Sequence, residues 1–281
     1  MVPLEIICVG NELLIGKILN TNARWLARRA TSLGITVKRI TVVEDDVDEI
    51  ASAVREALAR KPRFIITTGG LGPTFDDKTL EGIAKALNKE LKLNEKALQM
   101  IKAKYKAYAE NGETEIVEMT PHRTKMAMLP EGAEPLPNPV GTAPGVMLDA
   151  GSTILFALPG VPAEMEAICE ESISTILRRE SGGMTFYETS MYVEGIMEST
   201  LAPLIDITMQ DNPHVYIKSH PSGSETNPRI EIHFSTVAKD SNLAKGRIGK
   251  AMIQLSELIN NKGGRIKVQV PSRKAYSSKG S

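Results

Sequence analysis

The chain has 281 residues, which at about 150 residues per domain predicts two domains or one large one. Lysine plus arginine and aspartate plus glutamate each number 34, so the formal net charge is zero; that excludes a generally basic nucleic-acid coat protein, though not a local basic patch. Hydrophobic residues make up 42% and aromatic residues 4%, which excludes global disorder and leaves a core that is mainly aliphatic and methionine-based.

Leu4 to Val9 is an apolar run stopped by Gly10 and reads as a buried strand. Asn20 or Thr21 opens a helix with Leu26, Ala30 and Leu33 on its apolar face, and Gly34 suits the C′ position. Ile35 to Val43 is a second strand. Asp46 or Asp48 opens a helix carrying Ile50, Val54 and Leu58, Pro62 ends it, and Phe64 to Thr68 is a third strand. This βαβαβ alternation predicts an α/β, doubly wound, three-layer domain around a mostly parallel sheet. Asp76 to Leu87 and Glu95 to Ala109 read as further helices. Six prolines between Pro121 and Pro144 break residues 111 to 150 into loops and a small antiparallel excursion. Thr153 to Leu158 is a strand, and a helix from Val161 or Pro162 has Met165, Ile168, Cys169, Ile173 and Ile176 as its apolar side.

Ser181-Gly182-Gly183 reads as a linker, giving a first domain over 1–180 and a second over 184–268. In the second, strands at Thr185 to Val193, Val215 to Ser219 and Arg229 to Val237 and helices at Ser199 to Met209 and Asn242 to Asn260 give the order βαββα, a smaller α+β domain. The Ser/Lys-rich tail over 271–281 is expected to be disordered.

Two lone cysteines, Cys8 and Cys169, form neither a disulfide framework nor a CxxC site. With no basic leader and no apolar run near the ~18 residues of a membrane span, the chain is expected to be cytoplasmic and to have no membrane partner. The four histidines show no zinc-ligand spacing.

In an open parallel sheet, ligands bind outside the carboxyl ends of the strands. Those ends here carry Gly10-Asn11-Glu12, Glu44-Asp45-Asp46, Thr67 to Pro73 and Pro159-Gly160-Val161-Pro162. Thr67 to Thr79 is the most informative stretch. Gly69, Gly70 and Gly72 let the backbone pass close to a ligand, the next helix offers N–H groups that suit phosphate, and Thr67, Thr68 and Thr74 add hydroxyls. Asp76 and Asp77 beside such a cradle fit a divalent cation shared with phosphate, or, alternatively, an acidic helix start after a glycine turn. Glu12 and Asp45 are further candidate acids, and Asn11, Asn22 and Thr142 candidate ligand contacts; Asn20 and the Asp45-Asp46 pair are equally explained by helix capping. Gly10 to Lys17 has the wrong spacing for a Walker phosphate loop, and Gly70-Leu71-Gly72 lacks the third glycine of a dinucleotide fingerprint. Gly246-Arg247-Ile248-Gly249 has the form of a KH clamp but falls in a helical pattern, so a nucleic-acid partner is not expected.

The stretch Thr67-Thr68-Gly69-Gly70-Leu71-Gly72-Pro73, with Asp77 and Thr79 following, resembles the signature of molybdopterin-binding proteins of the MogA/MoaB type. Together with Gly10-Asn11-Glu12-Leu13-Leu14, Asn20-Thr21-Asn22, Gly141-Thr142-Ala143-Pro144-Gly145 and Leu158-Pro159-Gly160-Val161-Pro162, it resembles the amino-terminal domain of the CinA (competence/damage-inducible) family over roughly residues 4 to 178. Asn11 stands where many members have threonine. The second domain is similar in element order to the KH-type domain of that family. The chain stops where longer members carry a nicotinamide mononucleotide deamidase domain, so that activity is not expected. The resemblance implies a metal-dependent pyrophosphatase that splits ADP-ribose-like substrates into AMP and ribose 5-phosphate, or a molybdopterin-binding protein of cofactor biosynthesis; a regulatory or RNA-binding module is the non-enzymatic alternative. On the first reading Asp77, with Glu12 or Asp45, holds Mg²⁺ or Co²⁺. Thr68, Gly69, Gly70, Gly72, Thr74, Thr79 and Gly160 bind phosphate, and Asn11, Asn22 and Thr142 position the rest of the ligand. Relatives of this kind imply a homo-oligomer.

Overall fold

A computed structural model of the chain describes residues 2–112, 118–221 and 229–267. The chain divides into two compact units, Met1–Gly183 and Met184–Ser281.

The first unit runs β1 (Val2–Val9), α1 (Asn11–Leu14), α2 (Thr21–Ser32), β2 (Ile35–Val43), α3 (Val47–Ala59), β3 (Phe64–Thr68), α4 (Thr79–Ala86), β4 (Leu91–Leu93), α5 (Glu95–Glu110), α6 (Pro121–Lys125), β5 (Met128–Pro130), β6 (Glu134–Leu136), β7 (Gly145–Ala150), β8 (Thr153–Leu158), α7 (Pro162–Ile168), a π-helical turn (Cys169–Ile173) and α8 (Ser174–Glu180). Its main sheet has the order β2-β1-β3-β8-β7-β6, parallel from β2 to β8 and antiparallel for β7 and β6. A strand covered on both faces must bury its side chains throughout, and β3 is buried at every residue, Phe64, Ile65 and Ile66 followed by Thr67 and Thr68. Ile7, Val9 and Ile65 pack on one face with Ile50, Ile83 and Ile101 from α3, α4 and α5. Leu4, Ile6 and Ile66 pack on the other with Leu26, Met165 and Leu177 from α2, α7 and α8. This is a three-layer α/β/α unit.

The sequence reading is corrected in three places here. The helix expected from Asp76 begins at Thr79, because Asp76 and Asp77 turn back to bond the Thr74 hydroxyl and so close a turn before the helix. The proline-rich stretch, read as loops and a small antiparallel excursion, holds β6 and β7, which extend the main sheet antiparallel, and β5, which pairs with β4 from ahead of α5, a strand the sequence reading lacked. Within the apolar run of β1, Glu5 is buried, and Arg60 at the end of α3 neutralises it bidentately, Nε to Oε1 at 2.9 Å and Nη2 to Oε2 at 2.7 Å.

The second unit runs β9 (Thr185–Glu194), α9 (Glu198–Asp211), β10 (Tyr216–Pro221), β11 (Arg229–Ala238), α10 (Ser241–Asn260) and β12 (Arg265–Lys267), with an antiparallel sheet in the order β10-β11-β9-β12. The expected βαββα order, read as KH-type, gains a closing strand and becomes βαββαβ, the ferredoxin-like arrangement. β12 escapes a sequence reading because Arg265-Ile266-Lys267 offers a single apolar residue after two glycines. Alternate residues Ile230, Ile232 and Phe234 of β11 face Leu201 and Leu204 of α9 and Ile248 and Leu255 of α10. Gly246 to Gly249 lie inside α10, not in a loop. Residues 222–228 and the tail from 268 lie outside the described residues.

Candidate functional site

The parallel half of the first sheet sends every strand-to-helix loop to one edge. There the loops after β1, β2, β3 and β8 surround a cavity of about 450 Å³.

The loop after β3 forms one wall. The Gly69 N–H donates to the Leu158 carbonyl at 3.0 Å, splicing the loop to β8. Gly69 and Gly70 have φ of +106° and +64°. A Cβ on Gly69 would sit 2.1 Å from the Val9 carbonyl oxygen, and one on Gly70 2.4 Å from Thr79 Oγ1, so only glycine fits either place. Thr79 is fully buried; its Oγ1 donates to the Gly69 carbonyl at 2.8 Å and its N–H to the Gly70 carbonyl at 3.1 Å. With the loop carbonyls occupied in this way, the N–H groups of Gly70, Leu71 and Gly72 donate to none of the described residues. Consecutive unpaired amides in a left-handed loop ahead of a helix make an anion-binding nest. Farther along, the Thr74 N–H donates to Asp77 Oδ2 at 2.8 Å, so Asp77 staples the loop to itself.

Five carboxylates, Glu12, Asp45, Asp76, Asp77 and Glu164, line the cavity, and none of the residues lining it is Lys, Arg or His. Burial pushes the Asp45 carboxyl above the ordinary range; the Asn11 N–H, 2.8 Å from Oδ2, opposes this, and the nearby charges of Glu12, Asp76 and Asp77 add to it. The Asp76 carboxyl is held below the ordinary range, first by the Thr74 hydroxyl. Glu164 accepts from Asn138 Nδ2 at 2.6 Å, while Asn138 Oδ1 accepts from the Val140 and Gly141 N–H groups and fixes the loop that carries Thr142.

Of the residues singled out in the sequence, Glu12, Asp45, Asp77, Thr68, Gly69, Gly70, Gly72, Asn22, Thr142 and Gly160 line this cavity. Asn11, Thr74 and Thr79 do not; each instead fixes a neighbouring group, as described above for Asp45, Asp77 and the Gly69 carbonyl. Asn22 Nδ2 donates to Thr68 Oγ1 at 3.0 Å and to the Gly160 carbonyl at 2.8 Å, tying α2 to the ends of β3 and β8, and its buried Oδ1 has no partner among the described residues. Asp77, Asp45 and Glu12 were expected to hold a divalent cation. Among the described residues no three His, Cys, Asp or Glu side chains are grouped to hold a metal ion, and the Asp77 carboxylate is engaged by Thr74. The donor set as it stands does not fit a resident metal. Ile18 and Leu19, which the sequence reading missed, join Val161 and Pro162 in an apolar lip to the cavity, and Asn138 was missed because it acts on backbone several residues away.

Residues 5–179 match the family described as "Probable molybdopterin binding domain". The chain belongs to this family. A protein of Sulfurisphaera tokodaii is 46% identical over 263 residues, covering 93% of this chain and 97% of that one, and a protein of Pyrobaculum calidifontis is 48% identical over 258 residues, covering 92% and 95%. The crystal structure of the protein CinA with unknown function from Thermoplasma acidophilum matches 62% of this chain and 98% of its own with 43% identity and a TM-score of 0.56, so the CinA-like resemblance of the first unit extends to its fold. No helix among the described residues is long and apolar enough to cross a membrane.

Proposed function

We propose that the cavity of the first unit binds a phosphorylated pterin of the molybdopterin type, with the phosphate on the Gly70-Leu71-Gly72 amides and the ring against the apolar lip. The observation that carries this reading is the row of three amides with no partner among the described residues, held ahead of α4 by Thr79. Family membership supports it, and the cavity of about 450 Å³ lies in the range of small-ligand sites. The protein's own residues bind and orient: the nest takes the anion, Asn22 holds the strand ends in place, and the lip shields the ring from water. The pyrophosphatase reading requires a cation on Asp77 with Glu12 or Asp45, and among the described residues these do not form a metal-holding group.

The test is titration of the full chain with molybdopterin and with its dephosphorylated form, followed by pterin fluorescence. Binding that needs the phosphate and is lost in Gly70→Val supports the proposal; equal binding of both forms, or of neither, overturns it. A parallel incubation with ADP-ribose and a panel of divalent metals that released AMP would restore the hydrolase reading.

A further inference from the structure

A cavity lined by five carboxylates and no basic side chain has charged groups that only accept hydrogen bonds, so a ligand that fits it carries N–H donors as well as an anion. The five carboxylates are not alike. Asp76 and Asp77 are engaged by the Thr74 hydroxyl, and Asp45 feels the charges of Glu12, Asp76 and Asp77, so these four share one repulsive field. Glu164 is set apart from them, in the first turn of α7. Its Oε2 accepts from Asn138 Nδ2 at 2.6 Å, and its Oε1 accepts from none of the described residues. Asn138 is buried and locked in turn: Nδ2 also donates to the Ala143 carbonyl at 2.8 Å, and Oδ1 accepts from the Val140 and Gly141 N–H groups. Gly141 gives the carboxylate its room, since a Cβ there would sit 2.1 Å from both Glu164 Cδ and Oε2. Val161 and Pro162, in the three residues before Glu164, belong to the apolar lip. A group that selects between ligands must be held still and keep bonding capacity to spare. Glu164 has both, because each carboxylate oxygen has two lone pairs and Asn138 uses only one of the four.

Resting on the pterin reading above, we infer that Glu164 selects the ring: its carboxylate, held by Asn138 and given room by Gly141, accepts the 2-amino and N3–H donors of a 2-amino-4-oxo ring side by side. Two parallel N–H bonds to one carboxylate are strong and geometrically strict. A ring with oxygen in place of the 2-amino group offers one donor and sets a carbonyl oxygen against the carboxylate, which penalises it. The amides of the glycine loop take the phosphate, and a carboxylate takes the N–H edge.

The test uses the full chain with 6-hydroxymethylpterin and its 2-oxo analogue 6-hydroxymethyllumazine, each with and without a phosphate on the hydroxymethyl group, followed by ring fluorescence. Wild type is expected to bind the pterin at least about tenfold tighter than the lumazine. Glu164→Gln should invert that order: bonded to Asn138 through its oxygen, the amide presents N–H groups that meet the 2-oxo oxygen and repel the 2-amino group. A purely structural role would weaken both rings alike. Gly141→Ala keeps the carboxylate and displaces it from Asn138, so it should bring the two rings within about threefold of each other while binding still needs the phosphate. Should the Gln variant fail to fold, this second variant decides. Equal wild-type affinity for the two rings overturns the inference, as does a Gln variant that keeps the wild-type preference or loses both rings equally. If the phosphate makes no difference while the preference inverts in the Gln variant, the phosphate reading fails and the role of Glu164 stands; if neither ring binds in any form, both fall.

Discussion

The two units both bury aliphatic side chains between helices and a sheet, the first on both faces of its sheet and the second on one, and they expose their loops in opposite ways. In the first, four parallel strands must each return by a helix, so the loops after β1, β2, β3 and β8 gather at one edge and enclose a cavity. In the second, antiparallel neighbours such as β10 and β11 can join directly, and the sheet leaves one face without helices, where Tyr192, Glu231, His220 and His233 meet. Core packing is thus shared, while a cavity built from loop backbone belongs to the parallel arrangement.

Experiments that break this comparison start at the loop. Gly69→Val, which drives a Cβ into the Val9 carbonyl at a left-handed φ, should cost the first unit about 4 kcal/mol, read by hydrogen exchange of β1 and β3 amides in the full chain while those of β11 stay protected. Equal loss in both units would deny that the loop belongs to one of them. Phe156→Ala in β8 and Phe234→Ala in β11 each remove a fully buried ring and should each cost about 3 kcal/mol in denaturant unfolding; a large gap between them would mean that the cores are not packed alike. Arg60→Ala leaves the buried Glu5 carboxylate unpaired. Since the Arg60 side chain is 32% exposed, the loss is expected near 2 kcal/mol, below that of a fully buried pair, and Glu5→Gln combined with Arg60→Ala should recover part of it. Asn20→Ala removes the acceptor for the Ala23 N–H at the start of α2 and should cost about 1 kcal/mol, seen as a lower unfolding midpoint.

The smallest effect is electrostatic. Asp45 keeps its proton to higher pH when folded than when unfolded, so from the ordinary carboxylate range upward its folded charge is disfavoured. The stability it contributes is present at low pH and is lost as pH rises through that window. The same charge repels an anion in the cavity, and Asp45→Asn should therefore raise pyrophosphate affinity about threefold at neutral pH, with a gain that shrinks as the pH falls toward 4. A loss of affinity instead would mean that Asp45 acts through a cation carried by the ligand.

The elements legible in the sequence are those whose cause is local. The glycines of the β3 loop, the Asn20 cap and the Phe64-Ile65-Ile66 run of β3 each depend on neighbours a few residues away. The helix expected at Asp76 misjudged a local competition, since the same carboxylates that favour a helix start also bond Thr74. What stayed hidden depends on distance along the chain. Lys125 donates to the Asp77 and Thr74 carbonyls, 48 and 51 residues away, and Arg60 answers a glutamate 55 residues earlier. β7 lies at the end of a proline-rich stretch whose breakers dominate any local reading, and it forms by pairing with β8.

The π-helical turn at Cys169–Ile173 has a consequence for the rhythm of the last helices of the first unit. The buried residues Met165, Cys169, Ile173 and Leu177 recur every fourth position. On a regular α-helix a repeat of four drifts by about 40° each time, enough to carry Leu177 off the sheet by the third step. The wider turn takes up that drift and resets the phase, so Leu177 is fully buried while Ile176 packs, half-buried, at the edge of the same core. Deleting one residue from this turn would leave a regular α-helix in which Leu177 follows Met165 by eleven positions, three turns to within about 20°, so the final stripe would still face the sheet and the extra residue is what the wider turn absorbs.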